Sequence, residues 1–186
     1  MLVINLWGAP GSGKSTIAAG LFYLLKIARC RVELVGEFAK DLVWERSADY
    51  LENDQLAIFA EQNHRLVRLI PHGVEIAITD SPLPLSSLFM KNPPSQHVDS
   101  LIFDVFDNYE NLNFLIRREH AFEDFGRIHD EDQAREIDRD LESFMRQKHV
   151  VFDEIVASPS SHQHIYQMLK GLDHPALAPL RSSPLQ

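Results

Sequence analysis

Apolar residues fall along this chain in short runs, separated by longer stretches with helical spacing. The runs at 2–7, 31–36, 74–79, 112–117 and 150–156 have the length and continuity of buried strands. Between them, apolar positions recur every three or four residues at 15–28, 53–69, 97–107, 131–148 and 160–170, which predicts helices. Strands alternating with helices predict an α/β fold with a parallel, helix-covered sheet. From His174 onward, prolines mixed with small residues interrupt the periodicity. Residues 1–172 are therefore expected to form one domain and 173–186 a loose tail.

The first strand runs directly into "GAPGSGKST", which satisfies G-x-x-x-x-G-K-[ST] with Gly8, Gly13, Lys14 and Ser15. A strand before the motif and a helix after it supply the context that a phosphate loop needs. Its glycines let backbone N–H groups converge on phosphate oxygens, and the helix N-terminus adds a favourable dipole. Lys14 is expected to reach the β- and γ-phosphates, and the Ser15 hydroxyl to ligate Mg²⁺.

In a parallel α/β sheet the ligand lies beyond the carboxyl ends of the strands, so the residues that follow each apolar run are the ones to inspect. Glu37 follows the second run and Asp80 the third. A carboxylate ending an apolar strand is the usual partner of a phosphate loop, which makes Asp80 a candidate for Mg²⁺ or substrate; the alternative is a helix cap. Glu37 is a candidate for taking the proton of an acceptor hydroxyl, or a solvated acid in the first turn of a helix. The fourth run ends in Arg117 and Arg118, followed by an irregular polar stretch at about 119–130 that looks like a lid. Arg117, Arg118 and Arg127 are its candidate cations for the γ-phosphate, whereas Arg135 and Arg139 belong to a charged helix face. Gln62 and Arg65 stand three apart on one face of the helix at 53–69, where they either read a base or phosphate or form a solvated surface.

Composition narrows this picture. Eighteen basic and twenty-seven acidic residues give a net charge of −9, so a nucleic acid has to be met by a local basic patch, for which Arg29, Arg31, Arg65, Arg68 and Arg118 are available. One cysteine, Cys30, excludes an internal disulfide. With no long apolar run and no leader pattern, the expected location is the cytoplasm. His149, His162 and His164 lack metal-ligand spacing, and no zinc site is expected.

The ordered set "GAPGSGKST", "VELVGEFAKDLVWE", "DQLAIFAEQNHRL", "IAITDSPL", "NFLIRR" and "AREID" resembles small bacteriophage P-loop kinases, among them 5-hydroxymethyluracil DNA kinases. More distantly it is similar to the nicotinamide riboside kinase domain and the general nucleoside and nucleotide kinase plan. The resemblance covers roughly residues 1 to 170. It implies a five-stranded parallel sheet of order 2-3-1-4-5 with a small lid, ATP with Mg²⁺, and a hydroxyl acceptor. By the same resemblance, Gly8, Gly11, Ser12, Gly13, Lys14, Ser15 and Thr16 hold ATP, with Ser15 and Asp80 at the metal. Glu37 and Asp80 line the acceptor side, Arg117 and Arg127 close from the lid, and Ala157 lies where related kinases hold adenine. Three functions compete on this basis. They are a kinase acting on 5-hydroxymethyluracil in DNA, a kinase of a free nucleoside or deoxynucleoside monophosphate, and a nucleotide-dependent switch. No N-K-x-D guanine signature occurs for the last. The acceptor, and whether the protein is a monomer or dimer, stay open at this level.

Overall fold

The computed structural model describes residues 1–45, 53–118 and 131–182. The apolar runs become β1 (Leu2–Trp7), β2 (Val32–Val35), β3 (Ile76–Thr79), β4 (Glu110–Arg117) and β5 (Asp153–Val156). They form one sheet of order β2-β3-β1-β4-β5 in which each neighbouring pair is parallel. Ile4 of β1 sits opposite Ile78 on one side and Leu112 on the other. The helices are α1 (Lys14–Ile27), α2 (Phe38–Trp44), α3 (Gln55–Val67), α4 (Leu85–Phe89), α5 (Val98–Phe106), α6 (Glu131–Gln147), α7 (Ser161–Lys170) and α8 (Ala178–Ser182).

Because side chains alternate across a strand, a sheet covered on both faces has two cores. Leu2, Ile4, Leu6, Ile76, Ile78, Phe114 and Ile116 face one, packed under α1 and α7. Val3, Trp7, Ala77 and Leu115 face the other, under α3, α5 and α6. The inner strands β1 and β3 are buried throughout, which is why they read as near-continuous apolar runs, with Asn5 and Thr79 their buried polar members. The outer strands keep less inside. In β5 only Ile155 is buried, while Asp153, Glu154 and Val156 are exposed; in β2, Val32 and Val35 are buried and Leu34 is exposed. Where α1 meets α7, a Cβ on Gly20 would stand 2.6 Å from the ring Cγ of His162, so the missing side chain lets the two helices close on one another.

Some boundaries differ from the pattern. The last strand begins at Asp153 rather than 150, because Val151 is almost fully exposed and its carbonyl accepts from Asn113 Nδ2 instead. The fourth strand starts earlier, at Glu110. Helices α2, α4 and α8 are too short to show a periodicity of their own.

Up to Ser182 the C-terminal stretch corrects the expectation of a loose tail at 173–186; residues 183–186 lie outside the described residues. Residues 175–177 form a 3-10 turn that leads into α8, and Ala176, Leu177 and Leu180 are buried in the core beneath α1 and α7. Pro175 occupies the first position of the turn, where its missing N–H costs nothing. His174 Nδ1 accepts from Ala176 N, and His174 Nε2 lies 2.7 Å from a Glu110 carboxylate oxygen. Pro175 and Pro179 stand in the first turns of their helical segments rather than ending them.

Candidate active site

The connections change direction beside β1: the chain runs from β1 out to the edge strand β2, returns to β3 between them, and then crosses β1 to β4 and on to β5. The crevice at the carboxyl end of β1 is where ligands bind in open parallel sheets, and the phosphate loop fills it. Gly8, Gly11 and Gly13 all have positive φ, the last at 92° as it leads into α1. At Gly8 a Cβ would stand 2.6 Å from Ser12 Oγ and 2.9 Å from the Ile116 carbonyl, so only glycine lets the loop lie this close to β4. Lys14 folds back over the loop, with Nζ donating to the Gly8 carbonyl at 2.6 Å and the Ala9 carbonyl at 3.0 Å. Thr16 is exposed on the first turn of α1.

Asp80 stands at the end of β3, 7% exposed, next to that turn. Ser15 Oγ donates to Asp80 Oδ2 at 2.6 Å. With its one proton given to Asp80, the Ser15 hydroxyl keeps only lone pairs for another partner. Asp80 Oδ1 is buried and accepts no hydrogen bond among the described residues. A buried anionic oxygen without a donor, beside a hydroxyl oriented to accept, is an arrangement of hard oxygen ligands that suits Mg²⁺.

Glu37 lies at the end of β2 and immediately precedes α2, its side chain half-buried. What holds it is Gln62, 2% exposed on α3. Gln62 Oε1 accepts from Phe38 N at 3.0 Å, and Nε2 donates to the Gly36 carbonyl at 3.3 Å and to Thr79 Oγ1 at 3.4 Å. One amide thus ties the peptide groups on either side of Glu37 to the residue before Asp80, fixing the two carboxylate-bearing strand ends relative to one another. The side chain expected to read a substrate is spent on the scaffold of the site. Burial is the reason, since a buried amide must satisfy its hydrogen-bonding atoms internally.

Arg65 is likewise committed. It donates to Asp41 at 2.7 Å, to Glu61 at 3.1 Å and to the Gly36 carbonyl at 3.3 Å, with its guanidinium over the Phe38 ring at 5.0 Å from the centroid. It binds α2 to α3. Arg117, expected to close on the phosphate, is clamped between Glu142 of α6 at 2.6 Å and Glu154 of β5 at 3.1 Å. Hydrogen bonds from Arg117 and then Arg146 hold the Glu142 carboxyl below its usual range. As placed, the charge of Arg117 is matched on the outer side of β4 rather than turned to the loop. Arg127 and the expected lid at 119–130 lie outside the described residues.

Ala157, after β5, donates its N–H to the Arg117 carbonyl at 2.8 Å, and the following turn is closed by Ser161 Oγ, which accepts from Ser158 N at 2.8 Å. The arginines available for a basic rim are dispersed. Arg29 and Arg31 precede β2 and so lie at the amino ends of the strands, opposite the phosphate loop, and Arg65 is paired. Among the described residues, no helix is long and apolar enough to cross a membrane.

Compared with curated proteins, the chain finds no sequence match. Among solved structures it is similar to deoxyadenosine kinase from M. mycoides, with products dCMP and a flexible dCDP bound, at 19% identity and a TM-score of 0.62; the match covers 91% of this chain and 100% of that one. It is also similar to thymidylate kinase from Ehrlichia chaffeensis, at 19% identity and a TM-score of 0.59, over 91% of this chain and 98% of that one. These likenesses establish the fold, a five-stranded parallel sheet with a phosphate loop at its centre and helices on both faces. Residues 3–161 match the family described as AAA domain, a span that takes in the phosphate loop, Glu37, Asp80 and all five strands; the chain belongs to that family.

Proposed function

We propose that this protein transfers the γ-phosphoryl group of ATP to a hydroxyl or phosphate oxygen of a nucleoside or nucleotide. The observation that carries the reading is the Ser15–Asp80 pair, 2.6 Å apart at the head of the phosphate loop, with Asp80 Oδ1 buried and unpartnered. Ser15 and Asp80 would hold Mg²⁺, which when bound neutralises charge on the phosphates. The loop N–H groups grip phosphate oxygens, and Lys14 exchanges the Gly8 and Ala9 carbonyls for the β- and γ-phosphates. Glu37 accepts the proton of the acceptor hydroxyl as its oxygen bonds to γ-phosphorus and the bond to the ADP oxygen breaks. The Gln62 clamp keeps Glu37 on the acceptor side of Asp80. Both structural neighbours are kinases of nucleosides or nucleotides, which supports this acceptor class.

The motif resemblance to phage enzymes favours a finer alternative, the hydroxymethyl group of 5-hydroxymethyluracil in DNA. The arginine disposition favours the small acceptor, since a net charge of −9 repels a polyanion unless basic side chains gather at the site. A labelled-ATP transfer assay separates the readings. It compares free nucleosides and monophosphates with single-stranded and duplex DNA containing 5-hydroxymethyluracil, and with unmodified DNA. Transfer to free nucleosides or monophosphates is expected. Transfer confined to modified DNA would replace the acceptor, and no transfer to any of them by folded protein would overturn the kinase reading.

A further inference from the structure

Helix α6 turns one stripe toward the core, where Ala134, Leu141 and Met145 are fully buried. Asp138 falls within that stripe, four residues after Ala134 and three before Leu141, at a position where helical spacing calls for an apolar side chain. An acid there costs desolvation unless it is hydrogen-bonded. Its Oδ1 accepts from the backbone N–H of Ala9, 3.1 Å away and 129 positions earlier in the chain. Ala9, itself fully buried, is the second residue of the phosphate loop. Its carbonyl is held from inside the loop by Ser12 N at 3.2 Å and Lys14 Nζ at 3.0 Å.

We infer that Asp138 is a positioning residue for the nucleotide, fixing the first turn of the phosphate loop to α6 through Ala9. The inference rests on the kinase reading. Binding ATP draws Lys14 away from the Gly8 and Ala9 carbonyls, which removes one of the holds on this turn. The carboxylate on the Ala9 amide is independent of Lys14 and keeps the turn in its receptive shape. The requirement is for an acceptor atom on Ala9 N–H rather than for negative charge, which the phosphates of ATP would oppose.

Three variants of the full chain separate this from a merely structural role. Asp138→Asn retains an acceptor oxygen, Asp138→Ala removes it, and Asp138→Leu removes it while completing the apolar stripe, so that the helix still packs. Binding of Mg²⁺-ATP is measured by calorimetry and thermal unfolding is measured without nucleotide, with the wild type alongside. Asp138→Ala and Asp138→Leu are expected to bind about tenfold more weakly, the scale of one ordinary hydrogen bond at the upper end of its range. Asp138→Asn should stay within about twofold of wild type, and Asp138→Leu should unfold near the wild-type temperature. Wild-type affinity in the Leu or Ala variant overturns the inference. So does a folded Asn variant as weak as the Ala variant. Failure of the wild type itself to bind ATP would instead remove the kinase reading on which the inference stands.

Discussion

Leu180→Ala tests whether the C-terminal stretch belongs to the core. Leu180 is 0% exposed and shares its cluster with Ile165, Leu169 and Leu177. Truncating a fully buried leucine typically costs about 2–5 kcal/mol, the lost transfer energy plus the cavity left behind, and a middle value of about 3 kcal/mol fits a site walled by two helices and the sheet. The same substitution in a loose tail would fall within about 0.5 kcal/mol. For a chain of this length, 3 kcal/mol lowers the thermal midpoint by about 6–12 °C. In urea the midpoint should drop by about 1–2 M with the slope unchanged, which circular dichroism on the full chain would follow. Arg181→Ala serves as the control. Arg181 pairs with Asp173, which is 94% exposed, and such surface pairs contribute little. A Leu180→Ala midpoint indistinguishable from wild type would refute the packing argument.

Three further outcomes follow from the site and its surroundings. Lys14→Ala should leave the fold intact and abolish phosphoryl transfer, with the loss mainly in kcat; turnover at the wild-type rate would exclude the mechanism. Asp80→Asn and Glu37→Gln should both slow transfer strongly, but only the first should raise the Mg²⁺ concentration required, and near-normal rates and metal titrations in both would remove both roles. Burial works against ionising Asp99, yet hydrogen bonds from Lys148, at 2.6 Å, and from Ser87 outweigh it and hold its carboxyl below the ordinary value of 3.8. A depressed folded value means that the stability from Asp99 is fully present above the ordinary aspartate range and is lost as pH falls through and below it. Asp99→Asn should therefore flatten the acid limb of stability against pH, and an unchanged limb would count against the pairing.

The parts legible in the chain were those encoded locally. The glycine spacing of the phosphate loop, the apolar strands and the carboxylates that end two of them need no knowledge of distant partners. Gln62 shows where such reading stops. Its helix face could be placed, but its amide turns inward to the peptides beside Glu37, and nothing within α3 records that another strand end waits there. Arg117 sits as expected at the end of β4, while its two carboxylate partners are 25 and 37 positions away. Asp138 carried a usable local signal, an acid on an otherwise apolar stripe, whose partner only the fold supplies. The C-terminal prolines were misleading because proline breaks a helix in its interior but suits its first turn.

An open sheet has two unpaired margins, and a second copy of the chain could extend either by backbone pairing. Here each margin is a strand of only four residues. Asp153 and Glu154 point into solvent from β5, and the Lys26–Glu33 ion pair stands beside the exposed Leu34 of β2. Glu154 is matched by Arg117 and Arg146, so in two β5 margins brought together it is the Asp153 carboxylates that would repel, with the overall charge of −9 behind them. Colloidal stability thus depends on the same acids that make the sheet's rim unremarkable as a binding surface. Near the isoelectric point, at about pH 5.4, the overall charge vanishes and the general repulsion between copies fades with it, so precipitation is expected most readily there.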